Sequence, residues 1–302
     1  MIVFLLAIIS IMTGAYSIMS QEDGLKMIFI TRIQRTIALM LTGLALSISG
    51  LVMQLITQNR MVEPTTTGTI EWASLGLIIV YILIPSPTMV ERMLGAIIFS
   101  FIGSMIFFLI LRIIKLKSSL YVPILGIMMA GVVSAFTTFI SLEFNMMQAL
   151  EIWFQGYFAG VQKGRYEFLF FIVIISIAIF FYADRLTMAG LGEEFATNIG
   201  LNYKQIILID NFLVSIAVGI VDAVIGKVPF LGLLVPNLVS LAKGDNLRGN
   251  LPQTGLISMG AILIADIVSR TIIAPFEVPV SLILGSLGSV FFIGLLLRTR
   301  RV

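Results

Sequence analysis

Cysteine and histidine are both missing from this 302-residue chain. Their absence removes disulfides, thiol nucleophiles, zinc sites, histidine-ligated haem and imidazole general bases, and it leaves the redox compartment unreadable. Charge is scarce as well. Only 12% of residues are Asp, Glu, Lys or Arg, and the net charge of +3 is spread through loops with no basic cluster suited to nucleic acid. Apolar residues fill the space: 59% of the chain is hydrophobic and the mean hydropathy is +1.08, far from the balance of a soluble domain. The apolar runs are helix-length rather than ten-residue alternating strands. Hydrocarbon offers a peptide N–H or C=O no partner, so helices must do the spanning, and a β-barrel is excluded. The expected fold class is an all-α, polytopic membrane protein.

Apolar runs predict about ten transmembrane helices, at Ile2–Met19, Ile37–Ile56, Thr69–Ile84, Val90–Ile114, Pro123–Leu142, Phe168–Ala183, Ile206–Ile225, Phe230–Leu241, Thr254–Ile273 and Val278–Leu297. They make one transmembrane domain over residues 1–302, with no soluble domain beside it. The first run lacks a basic leader and a small-residue cleavage motif and reads as a retained span. The third and eighth are short and interrupted by Gly or Pro, and Ile152–Gly160 reads as an interfacial or re-entrant piece, so nine or eleven spans are alternatives. With both termini cytoplasmic, eleven Lys and Arg fall inside and eight outside, and the Arg298, Arg300, Arg301 tail anchors the inner side. Gly43 and Ser47, Ser215 and Gly219, and Gly285 and Gly288 supply the small-residue spacings that let helices approach closely.

Few residues are equipped for chemistry. The nearest approach to a phosphate-cradling loop, Gly219 to Lys227, matches G-x-x-x-x-G-K-[ST] neither in spacing nor in its last residue, so ATP hydrolysis by this chain is not expected. Glu71, Asp210, Asp222 and Asp266 are carboxylates within or beside spans, where a charge is costly and often functional. Asp210 and Asp222 fall near the ends of their run, which leaves open an ion relay or plain solvation at the interface. Asp266 lies four residues before Arg270, the favourable order for a helical ion pair. Arg32 and Arg35 open a span and oppose its dipole, at a cost of about 0.3–1 kcal/mol each when exposed. Two readings stand: anchoring to headgroup phosphates, or an outward cationic patch, joined by Arg270, for an acidic partner.

One amphipathic polar island breaks the apolar text, at about residues 184–205. Glu193 and Glu194 sit near a helix start, where negative charge suits the dipole. Ala196 keeps one side slim, and Gly200 permits a left-handed stop. A short helix presented to something in water is the expected result.

These residues, in order, resemble the FecCD-type permease family, the transmembrane subunits of bacterial ABC importers for iron–siderophores, haem and vitamin B12. The likeness runs from about Thr31 to Arg301. The R-x-P-R opening corresponds to Arg32-Ile33-Gln34-Arg35, N-P-L-A-x-P to Asn59-Arg60-Met61-Val62-Glu63-Pro64, and W-x-x-G to Trp153 through Gly156. G-E-x-x-A-x-x-L-G corresponds to Gly192, Glu193, Glu194, Phe195, Ala196, Thr197, Asn198, Ile199 and Gly200. Later matches are Pro229 to Pro236, Gly244 to Arg248, Leu251-Pro252 and Ala265 to Arg270. Three departures stand out: Pro-His is Pro236-Asn237, D-H-R is Asp245-Asn246-Leu247-Arg248, and Gln34 replaces the Pro between the arginines. The Asn pattern resembles the catecholate, petrobactin or anguibactin branch and points away from haem and vitamin B12.

The resemblance implies a type II ABC importer permease fold in the cell membrane, carrying ferric siderophore. It implies that Arg32, Arg35 and Arg270 receive glutamates of an extracytoplasmic substrate-binding lipoprotein. The segment with Gly192, Glu193, Glu194, Ala196 and Gly200 would be the cytoplasmic coupling helix in an ATPase cleft, and Asn59, Pro64, Pro236, Asn237, Asp245 and Arg248 would be structural. ATP and Mg would be bound by partner ATPase subunits, with no cofactor or metal in this chain. A second permease chain, identical or homologous, would complete the pathway. The rival reading is an ion-coupled secondary transporter working through Asp210, Asp222 or Glu71.

Overall fold

A computed structural model describes residues 1–14, 28–114, 121–153, 155–244 and 246–299. The helices are α1 (Ile2–Met12), α2 (Ile33–Ile56, entered through a π turn at Ile28–Arg32), α3 (Thr69–Leu83), α4 (Met89–Ile114), α5 (Tyr121–Glu143), α6 (Met147–Trp153), α7 (Phe171–Ala189), α8 (Glu193–Asn198), α9 (Tyr203–Val224), α10 (Leu231–Lys243), α11 (Leu247–Thr271) and α12 (Val280–Thr299). Short 3₁₀ turns at Phe158–Gly160 and Tyr166–Phe170 link α6 to α7, in place of a continuous re-entrant helix. Among the described residues the only strand-like feature is an isolated bridge between Ile273 and Phe276. Among the described residues six helices are long and apolar enough to span, and four shorter apolar ones accompany them, matching the ten runs in the sequence.

The buried axis is α2, which packs against α11, α10, α9 and α7. It reads as a near-continuous core helix because small and apolar side chains surround it: Ala38, Gly43, Ala45, Ser47, Ser49 and Gly50 are all buried. Ser47 closes locally, its Oγ donating to the Gly43 carbonyl at 2.8 Å. Ser258 Oγ of α11 donates to the same carbonyl at 2.7 Å. A second packing unit joins α3 to α4 and α4 to α9.

The shortness of α10 has a local cause. Its 13 residues rise about 20 Å, well under the ~30 Å hydrocarbon core. It starts at Phe230, whose left-handed φ of 65° forbids a further turn. Inside it, Pro236 has no N–H to give the Gly232 carbonyl one turn earlier. Gln54 Nε2 of α2 supplies the missing donor at 3.2 Å. That contact is possible because Gly50 and Gly232 face each other backbone to backbone, and a Cβ on Gly50 would overlap the Gly232 carbonyl.

Candidate functional site

Functional residues collect at the two ends of the bundle and at one buried clasp between them. At the first end, α1 finishes, α2 starts and α11 finishes, bringing Arg32, Arg35 and Arg270 around one cleft of about 220 Å³ with Thr13, Phe158 and Glu277 on its walls. The three arginines therefore do converge, as the cationic-patch reading requires, but two of them are engaged from within. Asp266 is fully buried, and its Oδ1 accepts Arg35 Nε at 2.9 Å. Its Oδ2 accepts Arg270 Nη2 and, at 3.2 Å, Ser10 Oγ of α1. Arg35 Nη1 also pairs with Glu277 at 2.7 Å. Arg270 Nη1 donates to the Thr13 carbonyl at 2.7 Å. Arg32 Nη1 donates to the carbonyls of Ile11 at 3.1 Å and Met12 at 3.3 Å. The i,i+4 pair expected for Asp266 and Arg270 is present, yet it is one arm of an Arg–Asp–Arg network tying α1, α2 and α11 together. Arg35 and Arg270 are largely buried while Arg32 is partly exposed, so the charge this cleft presents at its surface comes from Arg32 and Glu277.

The clasp joins the 57–68 connection to α10. Asn59 Oδ1 accepts the Met61 N–H at 2.8 Å and shapes the turn. The Pro64 carbonyl accepts the Thr69 N–H at 3.1 Å, at the start of α3. Asn237 Nδ2 donates to the carbonyls of Arg60 and Leu233, each at 2.7 Å. So Asn59, Pro64, Pro236 and Asn237, scattered in the sequence, meet as one unit. Its centre is a residue the sequence reading passed over. Glu63, 2% exposed, accepts the Phe230 N–H at 3.1 Å and the Thr65 hydroxyl at 2.5 Å, and it also takes hydrogen bonds from the Leu233 and Gly232 backbone. A carboxylate at a helix N-terminus suits the dipole and the unpaired N–H groups. Burial nevertheless wins over those donors and lifts its pKa to about 7. The only sequence signal was an acid between Val62 and Pro64 in that motif.

The other carboxylates lie deeper than sequence position suggested. Asp210 and Asp222 were expected within reach of water, but both are buried. Packing of α9 against α3, α4 and α2 covers the face that carries them. Both oxygens of Asp210 lack a protein partner, while Asp222 accepts Ser74 Oγ at 3.3 Å. Glu71 pairs with Lys227 at 3.3 Å. Among the described residues, no three acidic, His or Cys side chains gather as a metal site.

At the opposite end α7 runs on to Ala189, and the island folds as α8, six residues long. Gly192 (φ 114°) and Gly200 (φ 82°) bound it in backbone conformations that favour glycine. The stop is a Schellman turn: the Leu201 N–H reaches the Ala196 carbonyl at 2.9 Å and the Gly200 N–H reaches Thr197 at 3.0 Å. Ala196 is fully buried against the bundle, and Gln58 Nε2 holds the root by donating to the Gly190 carbonyl at 2.9 Å. Glu193 and Glu194 occupy the first turn, Glu193 lying 3.9 Å from Arg112. The feature the sequence reading missed is apolar: Leu191, Phe195 and Ile199, four residues apart, are 62%, 45% and 46% exposed. Beside the island, Arg248 pairs with Asp184 at 2.5 Å and lies over the Phe180 ring. Asn246 Oδ1 caps α11 by accepting the Gly249 N–H at 3.2 Å. Asp245 lies outside the described residues.

Comparison with known proteins adds to this geometry. The profile of the FecCD transport family matches residues 1–298. The petrobactin import system permease protein FatD of Bacillus anthracis is 63% identical over 300 residues, covering 99% of this chain and 90% of that one. The petrobactin import system permease protein YclN of Bacillus subtilis is 38% identical over 306 residues, covering 99% and 96%. Among solved structures, an inward-facing conformation of a metal-chelate type ABC transporter superposes with a TM-score of 0.83 at 24% identity, covering 98% of this chain and 96% of that chain. That likeness carries the fold alone, an all-helical bundle.

Proposed function

We propose that this chain, which belongs to the FecCD transport family, is the permease of an ATP-binding-cassette importer that takes a petrobactin-like ferric siderophore into the cell. The observation that carries the reading is α8. A membrane chain without a phosphate-binding loop holds out a six-residue helix on which Phe195 is exposed, with exposed Leu191 just before it and exposed Ile199 at its end, while Ala196 and a Schellman stop lock its other side to the bundle. An apolar strip on a rigid stub is what a cleft in a soluble ATPase would bury. The extensive identity to a petrobactin permease supports the cargo class.

On this reading α8 faces the cytoplasm, both termini lie on that side, and the arginine cleft faces outward. ATP and Mg are bound by the partner ATPases. Their closure moves α8, and the movement passes to α2 through Gln58 and Gly190 and to α9 through the Schellman turn. Outside, an acidic lobe of a substrate-binding lipoprotein meets Arg32 and competes with Glu277 for Arg35. Arg270 sits behind them with its charge shared by Asp266. Charge complementarity of this kind steers docking and fixes register more than it adds affinity. A second permease chain supplies the other half of the pathway, and the iron travels inside its chelate.

The test is uptake of iron-labelled petrobactin by vesicles holding this permease with its ATPase and binding protein. Uptake should require ATP and stop when the ATPase phosphate-binding lysine is replaced. Uptake that persists and follows a proton or sodium gradient would transfer the function to the ion-coupled reading, with the unpartnered Asp210 as its first suspect.

A further inference from the structure

Next to α8, a groove of about 500 Å³ opens between the last turns of α2 and α4 and the first turns of α5 and α9. Its wall is apolar: Phe108 and Leu109 of α4 on one side, Ile207 and Leu208 of α9 on the other. Leu109 is 57% and Leu208 49% exposed, so the groove is open along the flank of two helices long and apolar enough to span. Its α8 end is different. There Arg112 and Lys204, both exposed, stand on the rim. Among the described residues Arg112 has a long, exposed pairing with Glu193 at 3.9 Å, which is worth little.

An apolar slot on the flank of two helices of spanning length, with two cations at its α8 end, asks for a single kind of ligand, an acyl chain joined to an anion. Juxtamembrane cations attract anionic headgroups over zwitterionic ones. We propose that this groove binds one anionic phospholipid, with its phosphate between Arg112 and Lys204 and an acyl chain along Phe108, Leu109, Ile207 and Leu208. The bound phosphate competes with Glu193 for Arg112, so the lipid sits at the root of the coupling segment. The site stands on the groove and the charges alone and does not depend on what the permease carries.

The experiment is native mass spectrometry of the full-length chain, stripped of lipid in detergent and offered phosphatidylglycerol or phosphatidylcholine with the same acyl chains. One phosphatidylglycerol should be retained per chain, at least tenfold more tightly than phosphatidylcholine. Arg112→Gln and Lys204→Gln should each weaken it about five-fold, and together they should bring the two lipids level. Arg185→Gln, which removes an exposed cation elsewhere on the same end, should leave the preference intact. Thermal unfolding of the variants checks that they remain folded. Equal retention of both lipids by the natural chain, or a preference that survives the double substitution, would overturn the proposal. Displacement by inorganic phosphate at lipid concentrations would reassign the rim to a free anion, and displacement by the ferric chelate would reassign the groove to the cargo route. Either result overturns it. Failure of ATP-driven uptake would bear only on the transport reading.

Discussion

Replacing Glu63 with Gln should make the protein more stable above neutral pH and leave it unchanged in mild acid. The buried carboxyl holds its proton up to about pH 7, against 4.5 for the unperturbed group. Between those values the folded chain binds more protons than the unfolded one, so stability falls as pH rises from 4.5 and levels off above about 7. At 1.36 kcal/mol per pKa unit, ionised Glu63 costs the fold about 3 kcal/mol. Gln keeps an acceptor for the Phe230 N–H and adds no charge, so it should recover most of that amount at pH 8 and little at pH 5. Glu63→Ala strands the Phe230 and Gly232 donors and should lose about 1–3 kcal/mol at every pH. Thermal unfolding of the purified protein in detergent, scanned from pH 5 to pH 8, reads all three. Parallel pH slopes for the natural chain and Glu63→Gln would show that the clasp does not titrate and would refute the reasoning.

Arg35→Met leaves fully buried Asp266 with one cationic partner fewer and should destabilise the fold by about 3 kcal/mol, read as a lowered Tm in detergent. Arg32→Glu spares the Asp266 network and should keep Tm within about 1 °C of the natural chain while weakening capture of the binding protein about tenfold in a pull-down titration. Gly200→Val forces a β-branched side chain into a φ of 82° and should break the Schellman stop. ATP hydrolysis by the reconstituted complex should then continue with uptake reduced at least five-fold; full coupling would mean that α8 needs no fixed end.

The helices were largely legible because hydropathy reports contact with hydrocarbon. The third run was predicted as Thr69–Ile84 and forms Thr69–Leu83. The fourth was predicted to start at Val90 and starts at Met89. The errors fall where helix turns are polar. The ninth run was predicted from Thr254, but α11 begins at Leu247, capped by Asn246, and the turns carrying Arg248 and Asn250 read as loop. Likewise α2 begins at Ile33 rather than Ile37, because its first turn carries Arg35, whose charge is met by buried Asp266 and not by lipid. The site divided along the same line. Glycines that end α8 announce themselves in one sequence, since few other residues hold those angles. Pairings across long separations do not: Asp266 with Arg35 spans 231 positions and Glu63 with Phe230 spans 167. Exposure of Phe195 and Ile199 was hidden for a different reason, as an apolar residue in a membrane protein signals nothing until its surroundings are known.

The two ends also differ in what their chemistry can do. At the arginine cleft most of the positive charge is already spent: Asp266 neutralises Arg270 and shares Arg35 with Glu277. An incoming carboxylate there exchanges one partner for another, so the net gain per contact is small and sensitive to salt. At α8 the reverse holds. Leu191, Phe195 and Ile199 have only water to lose, and burying them gains about 25 cal/mol for each Å² covered, with little dependence on ionic strength. A transporter needs this asymmetry. On the proposed function, the ATPase would have to stay seated through each stroke to deliver force to α8, whereas the binding protein would have to leave after unloading so that another can arrive. On that proposal the buried Asp266 would be more than a structural counter-ion, because by holding two arginines in place and half-quenching them it would keep the arginine cleft selective and releasable.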